Sequence, residues 1–473
     1  MTAEPARGVT FDEMQKKFKA SGSDADSPQN DGVFIVGGRI KEITNDLQAD
    51  GVKDHLSSLL QVHNLVVLLG SGASVHLGSP QIRHLTNARI LELIANAGVV
   101  SAKSDTNLLA LLNPDDSGDL EVLLNSLQLA QAFSEKLAHG TVTLGNQEVT
   151  LKSIKALRGH LNAALAFACQ LPSSDCKLSD PYEAHRTFLS RLARSRRENL
   201  PRPKIFTTNY DLVIESALDE LGYPYIDGFS GTVNRRLNMS TYGLDFHRVD
   251  TASQAIVSRA ESSFYLHKIH GSLNWRASAL SERDATVESI EVVQASVGAD
   301  ISDGTVLIYP TSAKEGDTLA YPYTDLLRML SAALQQPDTA VLTVGYGFWD
   351  AHINRILLGS LGMNSGMNIM IADPNAVFAD SSEIEKLDPK SLTGTTLRDS
   401  GVKLAKQPVA EIASTSDSRI AVLTGPRAKF EAFAELLPDP SITGDQASPT
   451  ALAQLVESLG LTGKDSLKGA DDE

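Results

Sequence analysis

Apolar residues in this chain fall into two patterns. Several short runs are dominated by apolar side chains and stop abruptly at glycine or small polar residues. They are 64–69 before Gly70-Ser71-Gly72-Ala73-Ser74, 204–207 before Thr208-Asn209-Tyr210-Asp211, 264–269 before His270-Gly271, 305–308 before Tyr309-Pro310, 339–344 before Gly345-Tyr346-Gly347, and 368–372 before Asp373-Pro374. Runs without polar alternation predict strands buried on both faces of a parallel sheet. Between them, apolar residues recur at helical spacing over 41–63, 212–221, 326–334 and 352–361. Phe34 to Ile40 reads as a short strand or an arm.

This alternation implies an α/β fold, a doubly wound parallel Rossmann-like sheet. Ligands of such sheets bind beyond the carboxyl ends of the strands, and Ser71, Asn209, Asp211, His270, Tyr346 and Asp373 all fall at those ends. One stretch departs from the alternation. From Ser79 to about Leu200 the pattern is helical, with one face carried by Ile82, Leu85, Ile90, Leu93 and Ile94 and two more over 120–137 and 151–171. A small hairpin over 142–151 interrupts it, with Gly145-Asn146 at the turn. The expected organisation is an arm and helix over 1–60, a sheet domain over 61–78 and 201–375, a large helical insertion after the first strand over 79–200, and a C-terminal extension over 376–473. The insertion suits a lid or partner-binding role. The extension carries one more strand near Arg419, one more helix over 428–437 and a polar, partly disordered tail.

Composition narrows the function classes. The chain has 473 residues and a net charge of −16, which argues against direct nucleic-acid or anionic-membrane binding. Its basic cluster, Arg191, Arg194, Arg196 and Arg197, reads as the solvated end of a helix. The two cysteines, Cys169 and Cys176, permit neither a disulfide framework nor a four-cysteine zinc module. No apolar run is long enough to span a membrane, and no signal peptide is recognisable, so a cytoplasmic protein is expected.

The strand-end motifs carry the candidate chemistry. Gly70 to Ser74 is a turn of small residues whose backbone N–H groups suit a phosphate. Thr208-Asn209 and Asp211 set a carboxamide and a carboxylate at one strand end, although Thr208 or Asn209 would also serve as a helix cap. His270 sets an imidazole at another, where a structural histidine would fit equally; His267, three residues earlier, points to the opposite face. Gly345-Tyr346-Gly347 is a second backbone-exposing turn. Glu92 does not serve as a ribose acid, because the turn lacks the third glycine of the dinucleotide fingerprint and Glu92 sits within a helix. Asp350 and His352 form an acid/base pair whose simpler reading is a cap and a first-turn packing residue.

Together, and in this order, these residues resemble the sirtuin superfamily, whose members carry a Gly-Ala-Gly-x-Ser turn, a Thr-Gln-Asn-x-Asp strand end and a His-Gly pair. The closer resemblance is to the sirtuin-like NAD hydrolases of bacterial antiphage defence. Those show Ile-Tyr-Pro-Thr, then Pro-Tyr, then Gly-Tyr-Ser-Phe-x-Asp-x-His-Ile-Asn; here stand Ile308-Tyr309-Pro310-Thr311, Pro322-Tyr323 and Gly345-Tyr346-Gly347-Phe348-Trp349-Asp350-Ala351-His352-Ile353-Asn354. The resemblance spans about 60–375 without the insertion. It implies NAD as substrate, with Gly70, Ser71, Gly72, Ala73 and Ser74 on the pyrophosphate and Thr208 among the residues that bind NAD. Asn209 and His270 would be catalytic. Asp211 would hold the nicotinamide carboxamide or anchor the Asn209 turn, Gly345, Tyr346 and Gly347 would lie on the adenosine side, and Asp373 would reach a ribose. Two departures matter: the zinc module of the deacetylases cannot be built from two cysteines, and Ser71 and Gly347 replace the usual Ala and Ser. The resemblance therefore implies cleavage of NAD, without zinc, in a protein that assembles as a homo-oligomer or with a HerA-type ATPase or Argonaute-type partner. A silent NAD-binding regulatory subunit and a protein deacylase are the alternatives.

Overall fold

The computed structural model describes residues 30–44, 49–79, 85–118, 120–136, 140–144, 147–174, 176–197, 199–249, 257–260, 262–279, 290–294, 305–307, 322–380, 382–385, 387–388 and 392–439. Its centre is a nine-stranded sheet. In chain order the strands are β1 (Gly32–Val36), β2 (Arg39–Thr44), β3 (Asn64–Leu69), β4 (Lys204–Thr207), β5 (Tyr225–Ile226), β6 (Phe264–Lys268), β7 (Thr339–Val344), β8 (Met367–Ala372) and β9 (Ile420–Thr424). Their order across the sheet is β2-β1-β9-β8-β7-β3-β4-β6-β5. All pairs from β9 to β5 are parallel, and β1 and β2 close one side as an antiparallel hairpin. From β3 the chain moves to β4 on one side, and it later returns to β7 on the other. The direction of winding therefore reverses between β3 and β7, which opens the ligand crevice of a doubly wound sheet at that point.

Helices cover both faces because the two-residue period of each strand divides its apolar residues between two cores. Val66 and Leu68 of β3, Val341 of β7 and Val422 of β9 face a core shared with α8 (Tyr323–Leu334) and α9 (Ala351–Met363). Leu65, Val67 and Leu69 face the other, shared with α1 (Asp50–Leu60), α6 (Glu183–Arg194), α7 (Val213–Leu221) and α11 (Phe430–Leu436). Five consecutive β3 side chains are 0–1% exposed, and each full burial contributes about 1.5–3 kcal/mol. That explains why β3 has no polar alternation.

Between β3 and α6 lie α2 (Asn87–Asn96), α3 (Lys103–Leu112), α4 (Leu120–Glu135) and α5 (Leu151–Ala168), with the expected hairpin as Thr141–Leu144 against Gln147–Thr150. They enclose a third core of their own, which also takes in Tyr210 and Leu273. A short helix, α10 (Pro408–Ala413), packs Val409 and Ile412 under β9.

Several expectations change. The helix expected over 41–63 begins at Asp50, because 39–44 pairs with β1 as β2. The sheet also reaches past 61–375, since β1 and β9 pair within it. α6 falls inside 79–200, yet its Phe188, Leu189 and Leu192 pack under the sheet rather than in the insertion's core. Thr305–Leu307 is not a strand of the parallel sheet. It joins a five-stranded second sheet with Phe229–Ser230, Arg236–Leu237, Gly271–Ala279 and Ile290–Gln294, whose pairs are antiparallel. The basic cluster is structural in part. Arg196 is buried and donates to the carbonyls of Leu60, Val62, His63 and Pro201, and Arg191 donates to those of Ala434, Glu435 and Leu437. These arginines satisfy helix-end and loop carbonyls that water would otherwise hydrate.

Candidate functional site

At the switch point the two glycine turns touch. Gly70 donates its N–H to the Val344 carbonyl at 3.1 Å, and Gly72 donates to the Gly345 carbonyl at 3.0 Å. Gly345 lies in the left-handed region at φ +64°, and a Cβ there would fall 2.4 Å from the Ala73 nitrogen. A Cβ on Gly70 would fall 2.5 Å from the Gly345 oxygen. Glycine is required at both positions because the two backbones pass too close for a side chain. Beyond Gly70 the chain forms a 3-10 turn, Ser71–Leu77, in which Ser71 is exposed while Ala73 and Ser74 are buried.

Neighbouring strand ends are tied in series. Thr208 donates its N–H to Leu69, Ile269 to Thr207, Gly345 to Ala372 and Asp373 to Leu423, at 3.0–3.2 Å. The Ser74 hydroxyl joins the β3 turn to the β4 turn. It donates to Asp211 Oδ2 at 3.0 Å and accepts from Asn209 Nδ2 at 3.2 Å. Asp211 Oδ1 accepts from the Val213 N–H at the first residue of α7, and neither Thr208 nor Asn209 caps that helix. Ser74, expected on the phosphate, has its hydroxyl turned inward to this network. Asn209 is buried, and its Oδ1 has no hydrogen-bond partner. A buried acceptor left open beside an ordered network requires an explanation, and a ligand donor supplies one.

Under the Asn209 turn lies a buried ion pair. Lys268 Nζ meets Glu215 Oε1 at 2.9 Å and also donates to the Asp211 carbonyl. Burial pushes the carboxyls of Asp211 and Glu215 up, against the opposing pull of Lys268. Leu273 donates its N–H to the Tyr210 carbonyl at 2.9 Å, and the Tyr210 ring packs into the insertion's core. The insertion thus rests directly on the residue between Asn209 and Asp211.

His270 follows β6, with its ring centroid 6.4 Å from that of Tyr210. Its Nε2 lies 3.1 Å from Asp350 Oδ2, and both side chains are about nine-tenths buried. Asp350 also caps α9, its Oδ1 accepting from the N–H groups of His352 at 2.8 Å and Ile353 at 3.0 Å. Burial alone would raise the Asp350 carboxyl. The hydrogen bond and charge of His270, with the two capping N–H groups, overcome that and hold it at about 2. The sequence pointed to the capping role and missed the contact with His270. His267 faces away, sandwiched between Phe206 and Tyr242 at centroid distances of 4.2 Å. Burial holds it neutral, with a pKa of about 3.

The Gly345 turn presents backbone rather than side chain. Tyr346 is buried and donates its hydroxyl to Asn354 Oδ1 at 2.9 Å, while Trp349, beside Gly347, is half exposed. Asp373 sits at the end of β8, where its Oδ1 accepts from the N–H groups of Asn375 and Ala376; burial pushes its carboxyl up. Ile308 to Thr311 lie outside the described residues. Among the described residues no cluster of His, Cys, Asp or Glu could hold a metal ion, and no helix is long and apolar enough to cross a membrane.

Residues 203–393 match the SIR2-like domain. The SIR2-like segment begins at β4, so the Gly70 turn and β3 reach it from before the match, across the insertion; β3 nevertheless lies between β4 and β7 of that segment. Asn209, Asp211, His270, Asp350 and Asp373 all fall within it. The chain is also similar to a Sir2 homologue mutant in complex with 2'-O-acetyl ADP ribose, at 13% identity and a TM-score of 0.35 over 84% of this chain and 98% of that one. A Sir2 homologue–NAD complex aligns at 13% identity and a TM-score of 0.34 over 81% and 92%. No curated protein matches the chain.

Proposed function

We propose that this protein is an NAD glycohydrolase, which cleaves NAD to nicotinamide and ADP-ribose. The observation that carries the reading is the unpartnered, buried Oδ1 of Asn209, within one strand-end network with Ser74 and Asp211 at the switch point of a SIR2-like segment. Asn209 and His270 are the catalytic residues of this reading. The Gly70–Ser74 turn takes the pyrophosphate, with Thr208 beside it, the Gly345–Gly347 turn takes the adenosine side, and Asp373 takes a ribose hydroxyl. Asp211 holds the turn that carries Asn209.

The bond that breaks joins the ribose C1′ to the nicotinamide nitrogen. Its electron pair leaves with nicotinamide, which departs neutral, so no acid is required. The ribose becomes oxocarbenium-like, and its stabilisation is where a site of this kind acts. Asn209 Oδ1 accepts a hydrogen bond from a ribose hydroxyl or from the attacking water. His270 takes the proton released when water adds to C1′. Depletion of NAD on infection, in the cytoplasm, would require an enzyme held silent until needed. Assembly as a homo-oligomer, or with a HerA-type ATPase or an Argonaute-type partner, supplies such control in this reading.

The test is nicotinamide release from NAD, followed by chromatography, with and without candidate partner proteins. Asn209→Ala and His270→Ala are each expected to lower turnover at least about 100-fold with the fold intact. Absence of release from the unmodified protein under every assembly condition overturns the reading. Release only in the presence of an acyl-lysine peptide assigns deacylation instead.

A further inference from the structure

We propose that Asp350 is a positioning residue for His270: its Oδ2 keeps the imidazole proton on Nε2 and leaves Nδ1 as the nitrogen that accepts a proton. The inference rests on the reading of His270 as base and adds which ring nitrogen does the work and what selects it.

The geometry argues for it in three steps. Nε2 and Oδ2 stand 3.1 Å apart as a nearly buried ion pair, near enough for the carboxylate charge to favour a proton on that nitrogen. The carboxylate cannot turn away, because its other oxygen is fixed by the N–H groups of His352 and Ile353 at the start of α9. The other buried charges nearby are engaged elsewhere. Lys268 pairs with Glu215 and the Asp211 carbonyl, and Asp211 accepts from Ser74 and Val213. An ionised acceptor on Nε2 fixes one neutral tautomer, with the lone pair on Nδ1. Asp350 follows the Gly345–Gly347 turn by three residues, so one stretch of chain supplies both a wall of the ligand crevice and the orientation of the base on the far side of β3 and β4.

The two roles of Asp350 separate cleanly by mutation. Asn and Ser cap helices about as well as Asp. In Asp350→Asn the cap requires the amide oxygen, so the amide NH₂ faces His270 Nε2. A donor at that position drives the ring proton to Nδ1. Asp350→Ser keeps a cap but is too short to reach the ring, so the tautomer is left unconstrained.

The experiment labels histidine with ¹⁵N and reads the ring nitrogens of His270, assigned by loss of its signals in His270→Gln, alongside nicotinamide release. In the unmodified protein the proton is expected on Nε2; in Asp350→Asn it is expected on Nδ1. Turnover of Asp350→Asn is expected to fall about 100-fold or more, below that of Asp350→Ser, at an unchanged unfolding midpoint. A merely structural Asp350 would give the opposite order, with Asn closest to the unmodified protein. Either that order or a proton on Nδ1 of the unmodified protein overturns the proposal. If the unmodified protein cleaves no NAD, the function fails, and the nitrogen shifts alone still decide where Asp350 holds the proton.

Discussion

Gly345→Ala tests the meeting of the two glycine turns most directly. The residue stands at φ +64°, where a side chain costs about 1–2 kcal/mol. The added methyl would also lie 2.4 Å from the Ala73 nitrogen and 2.6 Å from the Gly72 carbonyl carbon. Both neighbours are backbone, so they cannot rotate aside. Relieving such an overlap in a packed region costs about a further 1–3 kcal/mol. The sum, about 2–5 kcal/mol, lowers the unfolding midpoint by roughly 3–7 °C for a unit of more than 300 residues. Turnover falls as well, because the methyl forces apart the Gly72 N–H and the Gly345 carbonyl, and Asp350 lies five positions further along the same chain. The assay is thermal unfolding followed by circular dichroism, with nicotinamide release measured well below the midpoint. Gly359→Ala is the control. It lies within α9 with nothing inside 4 Å of the added methyl, and the substitution should stabilise by about 0.5–1 kcal/mol. A Gly345→Ala protein as stable and as active as its parent refutes the close approach of the turns.

Two further outcomes follow from buried charge. Lys268→Met leaves the Glu215 carboxylate buried without its partner and should cost about 3–5 kcal/mol in urea unfolding, whereas Lys268→Met with Glu215→Leu should recover most of it. Equal loss in the single and double variants would remove the ion pair as the cause. His267 is held neutral by burial in the folded chain, with a pKa of about 3 against 6.5 in the unfolded chain. Its contribution is complete above pH 6.5 and is lost as pH falls toward 3, at about 1.4 kcal/mol per pH unit. His185, also held at about 3 by burial, adds a like slope. His267→Phe keeps the stack between Phe206 and Tyr242 and should flatten the acid side of the stability curve by one proton; an unchanged slope refutes this.

What the sequence disclosed follows from burial on both faces. β3, β7 and β8 were legible because a central parallel strand has no solvent side, so its apolar run is unbroken. The polar residues that end these runs marked the crevice for the same reason. The second sheet was not legible, since its strands at 229–230 and 236–237 are two residues long and join the rest of that sheet only through Arg236 opposite Val293, dozens of positions away. The fate of Ser74 and Tyr346 was hidden as well. A hydroxyl at a turn reads as a ligand contact until its neighbours are known, and here Asp211 and Asn354 accept from them first. Asp350 carries one signal of its contact with His270 in the sequence: a capping carboxylate uses one oxygen on the helix and leaves a second for any imidazole nearby. Arg194 and Arg197 are exposed as expected, but Arg196 departs from that reading because it finds four internal carbonyls, those of Leu60, Val62, His63 and Pro201.

Tyr210 makes the helical insertion a structural creditor of the reaction centre rather than a passenger. Its backbone lies between Asn209 and Asp211, while its ring and Leu273 complete the insertion's core. Trimming the chain to a minimal catalytic body by removing 85–168 would therefore bare two apolar side chains at the edge of the crevice and unmoor the residue next to Asn209. Such a truncation needs polar replacements at 210 and 273 to stay in solution, and the Asn209 amide would then hold its direction through Ser74 alone.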